Sequence, residues 1–152
     1  MKKIVIVFAL FCSLFACYGQ EIYSKIDART LLGIMRNEGY SASLNKEYIS
    51  WEKDGVKSVI FFPKGNNVEQ TYFCFVGCYK FDQDNDKIAK ALVLCNEYNK
   101  STFGTSYVLG DKVVFNLPLN LRNGVTKSRI IDYLDDCQTI FKTWKKEVVD
   151  KI

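Results

Sequence analysis

The sequence predicts an α+β fold: an antiparallel sheet with flanking helices, in the order α-β-β-β-β-α-β-β-α. Three observations carry this reading. Apolar residues recur at helical spacing in three separate segments. β-branched and aromatic runs lie between them. The turns between consecutive runs are short, which suits an antiparallel meander and leaves no room for parallel crossovers.

The first nineteen residues stand apart from that domain. Met1-Lys2-Lys3 is a basic start, Ile4 to Ala16 is almost unbroken apolar chain, and Cys17-Tyr18-Gly19 places small residues at −3 and −1 before Gln20. This is the layout of a secretory signal peptide. The run is too short to span a bilayer, which needs about 20 apolar residues. Residues 1–19 are therefore expected to be removed, leaving 20–152 as one domain in the periplasm or outside the cell. Leu14-Phe15-Ala16-Cys17 also resembles a lipobox, with Cys17 as the residue that would carry lipid. Bulky Phe15 fits that motif poorly, so the soluble form is favoured. Membrane attachment is expected only if Cys17 is lipidated.

A first helix is expected from about Ala28 to Glu38, with Ala28, Leu31, Leu32 and Met35 on its buried face. Ser24 or Asp27 caps its start, and Gly39 supplies a left-handed stop. Strands follow at Ser41–Leu44, Tyr48–Lys53, Lys57–Phe62 and Thr71–Tyr79, with Asp54-Gly55 as a turn signal. A second helix runs from about Asp86 to Lys100. A hairpin then pairs Gly104–Leu109 with Lys112–Leu119 across Gly110-Asp111, and Pro118 marks a sheet edge or strand end. The last helix covers about Thr126 to Lys151. Its apolar residues Ile130, Leu134, Cys137, Phe141, Trp144 and Val148 read as a stripe laid across the sheet, since a coiled coil needs a longer seam.

Composition narrows function. The formal charge of +4 falls to +2 without Lys2 and Lys3, which gives nucleic-acid binding little support. With no histidine in the chain, Ser-His-Asp and Cys-His catalysis are excluded, as are zinc sites that use histidine. Outside the leader the cysteines are Cys74, Cys78, Cys95 and Cys137. Cys74 and Cys78 in one strand would lie roughly 13 Å apart, beyond the ~7 Å reach of a disulfide. Buried free thiols are the preferred reading for all four, although export would permit disulfides.

The remaining motifs fail their tests. Asp82-Gln83-Asp84-Asn85-Asp86 starts like a calcium loop, but Lys87 and Val93 stand where glycine and glutamate are required. These acids are expected to cap the second helix. Lys64-Gly65-Asn66-Asn67 lacks the rest of a phosphate-binding loop and reads as a turn. No catalytic, metal-binding or cofactor-binding residues are assigned.

Thr71–Tyr79 is apolar on both sides: Tyr72, Cys74, Val76 and Cys78 on one, Phe73, Phe75, Gly77 and Tyr79 on the other. Either helices of the chain cover both faces, or one face receives a protein or peptide partner or a second copy in a homodimer. Trp51, Phe73, Phe75 and Tyr79 are the candidate partner-binding residues.

From Cys95 onward the residues become recognisable. Asn96-Glu97-Tyr98-Asn99, then Phe103-Gly104, the hairpin into Leu117–Leu119, and Asn123-Gly124-Val125 before a long helix together resemble the YbjN family. The resemblance covers Thr30 to Glu147. It implies a fold like that of type III secretion chaperones and a small, non-enzymatic, protein-binding module, in a family described as candidate bacterial sensory-transduction regulators. Familiar members are cytoplasmic, whereas this chain carries an export signal. The alternatives are a small-ligand sensor with a pocket between the sheet and the last helix, and a thiol-based redox protein.

Overall fold

The computed structural model describes residues 21–53, 56–82 and 84–152. The expected leader and Cys17 lie outside the described residues, as does the Asp54-Gly55 turn. Strands are β1 (Ile22–Tyr23), β2 (Ala42–Leu44), β3 (Tyr48–Lys53), β4 (Val56–Phe61), β5 (Tyr72–Lys80), β6 (Thr105–Leu109), β7 (Lys112–Asn120) and β8 (Val125–Thr126). Helices are α1 (Ala28–Asn37), α2 (Asn85–Ser101) and α3 (Lys127–Glu147), followed by a 3-10 turn at Val149–Lys151. The α+β class and the order of its main elements are as the sequence predicts. The addition is a two-stranded ribbon of β1 and β8, each of two residues, too short to leave a period in the sequence.

The main sheet is antiparallel, in the order β2-β3-β4-β5-β7-β6. The β6–β7 hairpin folds back so that its second strand, β7, lies beside β5 over nine residue pairs. β6 reaches only to Thr105 opposite Asn116. Pro118 therefore sits in an inner strand at a point where β7 has lost its outer neighbour, and its missing N–H costs the ladder little.

The local signals act as physical chemistry requires. Asp27 Oδ1 accepts from Thr30 N at 2.7 Å and caps α1, and Gly39 takes φ 84° just beyond that helix. Asp84 caps α2 by accepting from Asp86 N at 3.0 Å, so the acidic run before α2 is a helix start.

Both edges of the sheet are managed. Asn99 Nδ2 donates to Ser106 O at 2.8 Å, and Ser106 N donates to Asn99 Oδ1 at 2.7 Å, which satisfies both main-chain groups of Ser106 on the outer edge of β6. Arg36 Nε donates to Ala42 O at 3.1 Å on short β2.

The core lies between the sheet and one helical layer. Tyr133 and Phe141 of α3 meet Phe73 and Phe75, while Trp144 of α3 and Tyr98 of α2 meet Phe115. Helix α1 joins the same side: Glu38 at its end pairs with Lys127 of α3 at 2.7 Å, and Tyr40 in the segment that follows donates to Asp135 of α3 at 2.7 Å. Ile130, Leu134, Cys137, Trp144 and Val148 are buried, which confirms the last helix as a cover for its own sheet.

Candidate functional site

Side chains alternate across a strand, so register assigns each residue to a face. Ile49, Trp51, Ser58, Ile60, Phe73, Phe75 and Phe115 turn toward the helices and are buried. Three of the four aromatics expected to bind a partner belong to that set. Trp51 is 3% exposed, and Phe73 and Phe75 are 0% exposed. Phe75 meets the rings of Trp51, Phe115 and Phe141. These residues fill the core because the three helices need one large apolar face to cover, and this is it. Tyr79, at the end of β5 on the same side, is 45% exposed.

The opposite face carries Ser43, Ser50, Val59, Val76, Asn116 and Thr105 in one row across the sheet, and Tyr48, Phe61, Cys74 and Pro118 in the next. Tyr48 is 37%, Phe61 42%, Tyr107 41% and Leu109 62% exposed on this side. The helix–sheet ring contacts all run to the other face. The two-sided apolar character of β5 thus has a single cause: one face is core and the other is an uncovered apolar surface.

A cavity of about 610 Å³ opens on this surface. Its walls include Ser43, Ser50, Glu52, Lys57, Val59, Val76 and Cys78, and its lining extends to Trp51, Ser58, Gly77 and Phe141 of the helix side. The sheet is passable there because β4 and β5 stop pairing. Among the described residues their ladder joins Val59–Phe61 to Cys74–Val76 and goes no further. Gly77 adds to the opening: a Cβ on it would overlap the Phe141 ring, 2.9 Å from Cζ. The cavity thus opens on the helix-free side, with Phe141 as its one lining residue from α3.

Among the described residues the thiols divide three to one. Cys74, Cys95 and Cys137 are buried and free, whereas Cys78 is exposed and free, which corrects the expectation of four buried thiols. Burial raises the Cys74 and Cys95 thiols and pushes Cys137 up to about 12, the opposite of what a nucleophilic thiolate requires. Burial likewise holds the Tyr133 phenol well above its usual range. Among the described residues no cluster of metal-ligating side chains forms, and no helix is long and apolar enough to cross a membrane.

The recognisable residues near the end of α2 have structural roles. Asn99 ties down β6, Tyr98 packs on Phe115, and Gly104 at φ 96° leaves space that a Cβ would take from Phe115. Phe103 stands 80% exposed. No family model matches the sequence, and no curated protein matches it. Among solved structures it is similar to the crystal structure of YbjN from E. coli, described as a candidate transcription regulator. The TM-score is 0.65 at 14% identity, over 82% of this chain and 91% of that one. On that superposition the chain has a YbjN-like α+β fold.

Proposed function

We propose that this chain is a non-enzymatic, exported protein-binding module. It holds a protein or peptide partner, or a second copy of itself, on the helix-free face of its sheet. The observation that carries the reading is the helix-free face, which leaves Tyr48 and Phe61, cross-strand neighbours on β3 and β4, and Tyr107 and Leu109 on β6 exposed, with Tyr48 at the wall of the 610 Å³ cavity. Exposed apolar side chains on a sheet face without a helical cover mark interaction sites, and aromatic anchors dominate such interfaces. A transcriptional role, the description attached to the E. coli protein, would call for a cationic surface. Here Lys57, Lys80 and Lys112 stand against Glu52 and Asp111, with Lys80 paired to Asp111 at 3.0 Å.

A photo-crosslinking residue in place of Tyr107, expressed in the native host, tests the reading. The control carries the same residue in place of Leu92, which is 48% exposed on α2. A discrete adduct from the sheet position and none from the helix position supports it. Equal labelling, or none at either position, overturns it. Export is tested separately by intact mass of the protein purified from its host. A start near Gln20 supports release, acyl chains on Cys17 make it a tethered module, and a start at Met1 removes export from the proposal.

A further inference from the structure

We propose that β6 is a latched strand, which opens while the rest of the sheet stays folded, and that Asn99 of α2 is its latch. The proposal stands apart from the protein-binding reading above. Among the described residues β6 is the outermost strand of its end of the sheet and pairs with β7. Thr105, Tyr107 and Leu109 are exposed and Val108 is half-buried. Ser106, at 2% exposure, is the one buried residue of the strand, and it is polar. The neighbouring β7 instead buries Val113, Val114 and Phe115. A strand with so little buried apolar surface belongs to the low-stability end of a fold.

Hydrogen bonds through Ser106 hold it instead. Its N–H and C=O turn away from β7, and the Asn99 side chain takes both, at 2.7 and 2.8 Å. Its hydroxyl donates to Cys95 Sγ at 3.1 Å and accepts from Trp144 Nε1 at 2.8 Å. Helices α2 and α3 thus grip the strand at a single residue. Asn99 is exposed near the C-terminal end of α2, where water competes for its amide. On either side of β6 the chain passes through a glycine of positive φ, Gly104 at 96° and Gly110 at 59°. Such positions absorb backbone rotation, so the strand moves as a unit between them.

Opening uncovers two things. The alternation that sends Ser106 outward turns the N–H and C=O of Thr105, Tyr107 and Leu109 toward β7. Asn116, Val114 and Lys112 opposite them then lose their partners and become a free sheet edge. Cys95, 2% exposed in the closed form, loses the hydroxyl that donates to its thiol. Cys137 is 0% exposed on α3, with Tyr133 as its hydrogen-bond partner, and stays covered.

Site-resolved alkylation of the full chain over a urea series tests this. Wild-type Cys95 is expected to react through an opening that urea hardly affects, whereas Cys137 reacts with the urea dependence of global unfolding. Asn99→Ala removes the clamp at an exposed helix position. It should speed Cys95 labelling about tenfold, as loss of two hydrogen bonds requires, and leave the Cys137 rate within about twofold. Asn99→Asp keeps the acceptor for Ser106 N and should fall between. Amide exchange at Tyr107 and Val114 should rise together with Cys95 labelling. The same urea slope for Cys95 and Cys137 in the wild type overturns the proposal without any variant. Equal acceleration of both thiols in Asn99→Ala also overturns it, because the clamp would then support the whole fold. Faster Cys95 labelling with α2 amides exchanging and Val114 still protected places the opening in the helix and overturns it as well.

Discussion

The Tyr133 hydroxyl stands inside the β5–β7 ladder: it accepts from Phe75 N at 3.0 Å and donates to Leu117 O at 2.5 Å. Phe75 and Leu117 are opposite one another in the register, so a helix side chain carries a link that the two strands would otherwise make directly. Tyr133 also meets the Phe73 ring edge-on at 5.7 Å. One residue of α3 thereby fixes the height and the register of the helical layer over the sheet.

Tyr133→Phe keeps the ring and removes the bridge. It leaves a buried N–H and a C=O without their partner, which costs about 1–3 kcal/mol. Urea unfolding should show a lowered midpoint with an unchanged slope. A shift under about 0.5 kcal/mol would mean that the strands close and bond directly, and that the hydroxyl is not needed to satisfy them.

Phe75→Ala and Phe61→Ser separate the two faces of the sheet. Phe75 is fully buried among three aromatic rings, so truncating it should cost about 3–5 kcal/mol. Phe61 is 42% exposed on the uncovered face, and its substitution should stay within about 0.5 kcal/mol. Thermal melts of the two variants check this. The reverse ranking would put the binding surface back on the Phe75 side.

Gly77→Ala should destabilise by about 1–3 kcal/mol, because the new methyl meets the Phe141 ring. In a Phe141→Leu background the same change should cost less, giving a measurable coupling between the two sites. Additive costs would show that Phe141 swings away freely. That would also weaken its place as the inner wall of the β4–β5 split.

Much of this fold is legible in the chain because its elements are long and locally consistent. The stripe from Ile130 to Val148, the cap at Asp27 and the turn at Gly110 each encode their structure within a few residues. The face assignment of β5 was not legible in the same way. Phe73 and Phe75 on one side and Cys74 and Val76 on the other both read as buried, and only tertiary packing decides which side the helices take. The larger rings drew the helices, so three of the four residues expected to bind a partner, Trp51, Phe73 and Phe75, lie in the core, while Tyr48, Phe61, Tyr107 and Leu109 are exposed on the other face. A signal was present in β4, where Val59 and Phe61 alternate with Ile60 and Phe62, so that apolar residues mark both faces there too. The β4–β5 split left no sequence signal, since pairing ends within strands of unbroken strand-like composition.

Cys137 makes stability depend on alkaline pH, with a sign that follows from its burial. Its thiol is pushed from the ordinary 9.0 up to about 12 because the folded chain withholds water from the thiolate. A raised folded value means that the unfolded chain loses its proton first. The stabilisation is fully present below pH 9.0 and is lost as pH rises toward about 12. Within that window the wild-type chain should lose up to about 1.4 kcal/mol per pH unit more than Cys137→Ala. Tyr133 is raised by burial and further by its contact with Cys137, so the difference between the two proteins reports this coupled pair. Chemical denaturation at pH steps from neutral to 11 measures the two slopes. Alkylation supplies a second readout: below pH 9, exposed Cys78 should react in the native protein while Cys137 reacts only on unfolding. Equal slopes together with a native Cys137 adduct would show that this thiol sees water, and that α3 does not seal the core beneath the sheet.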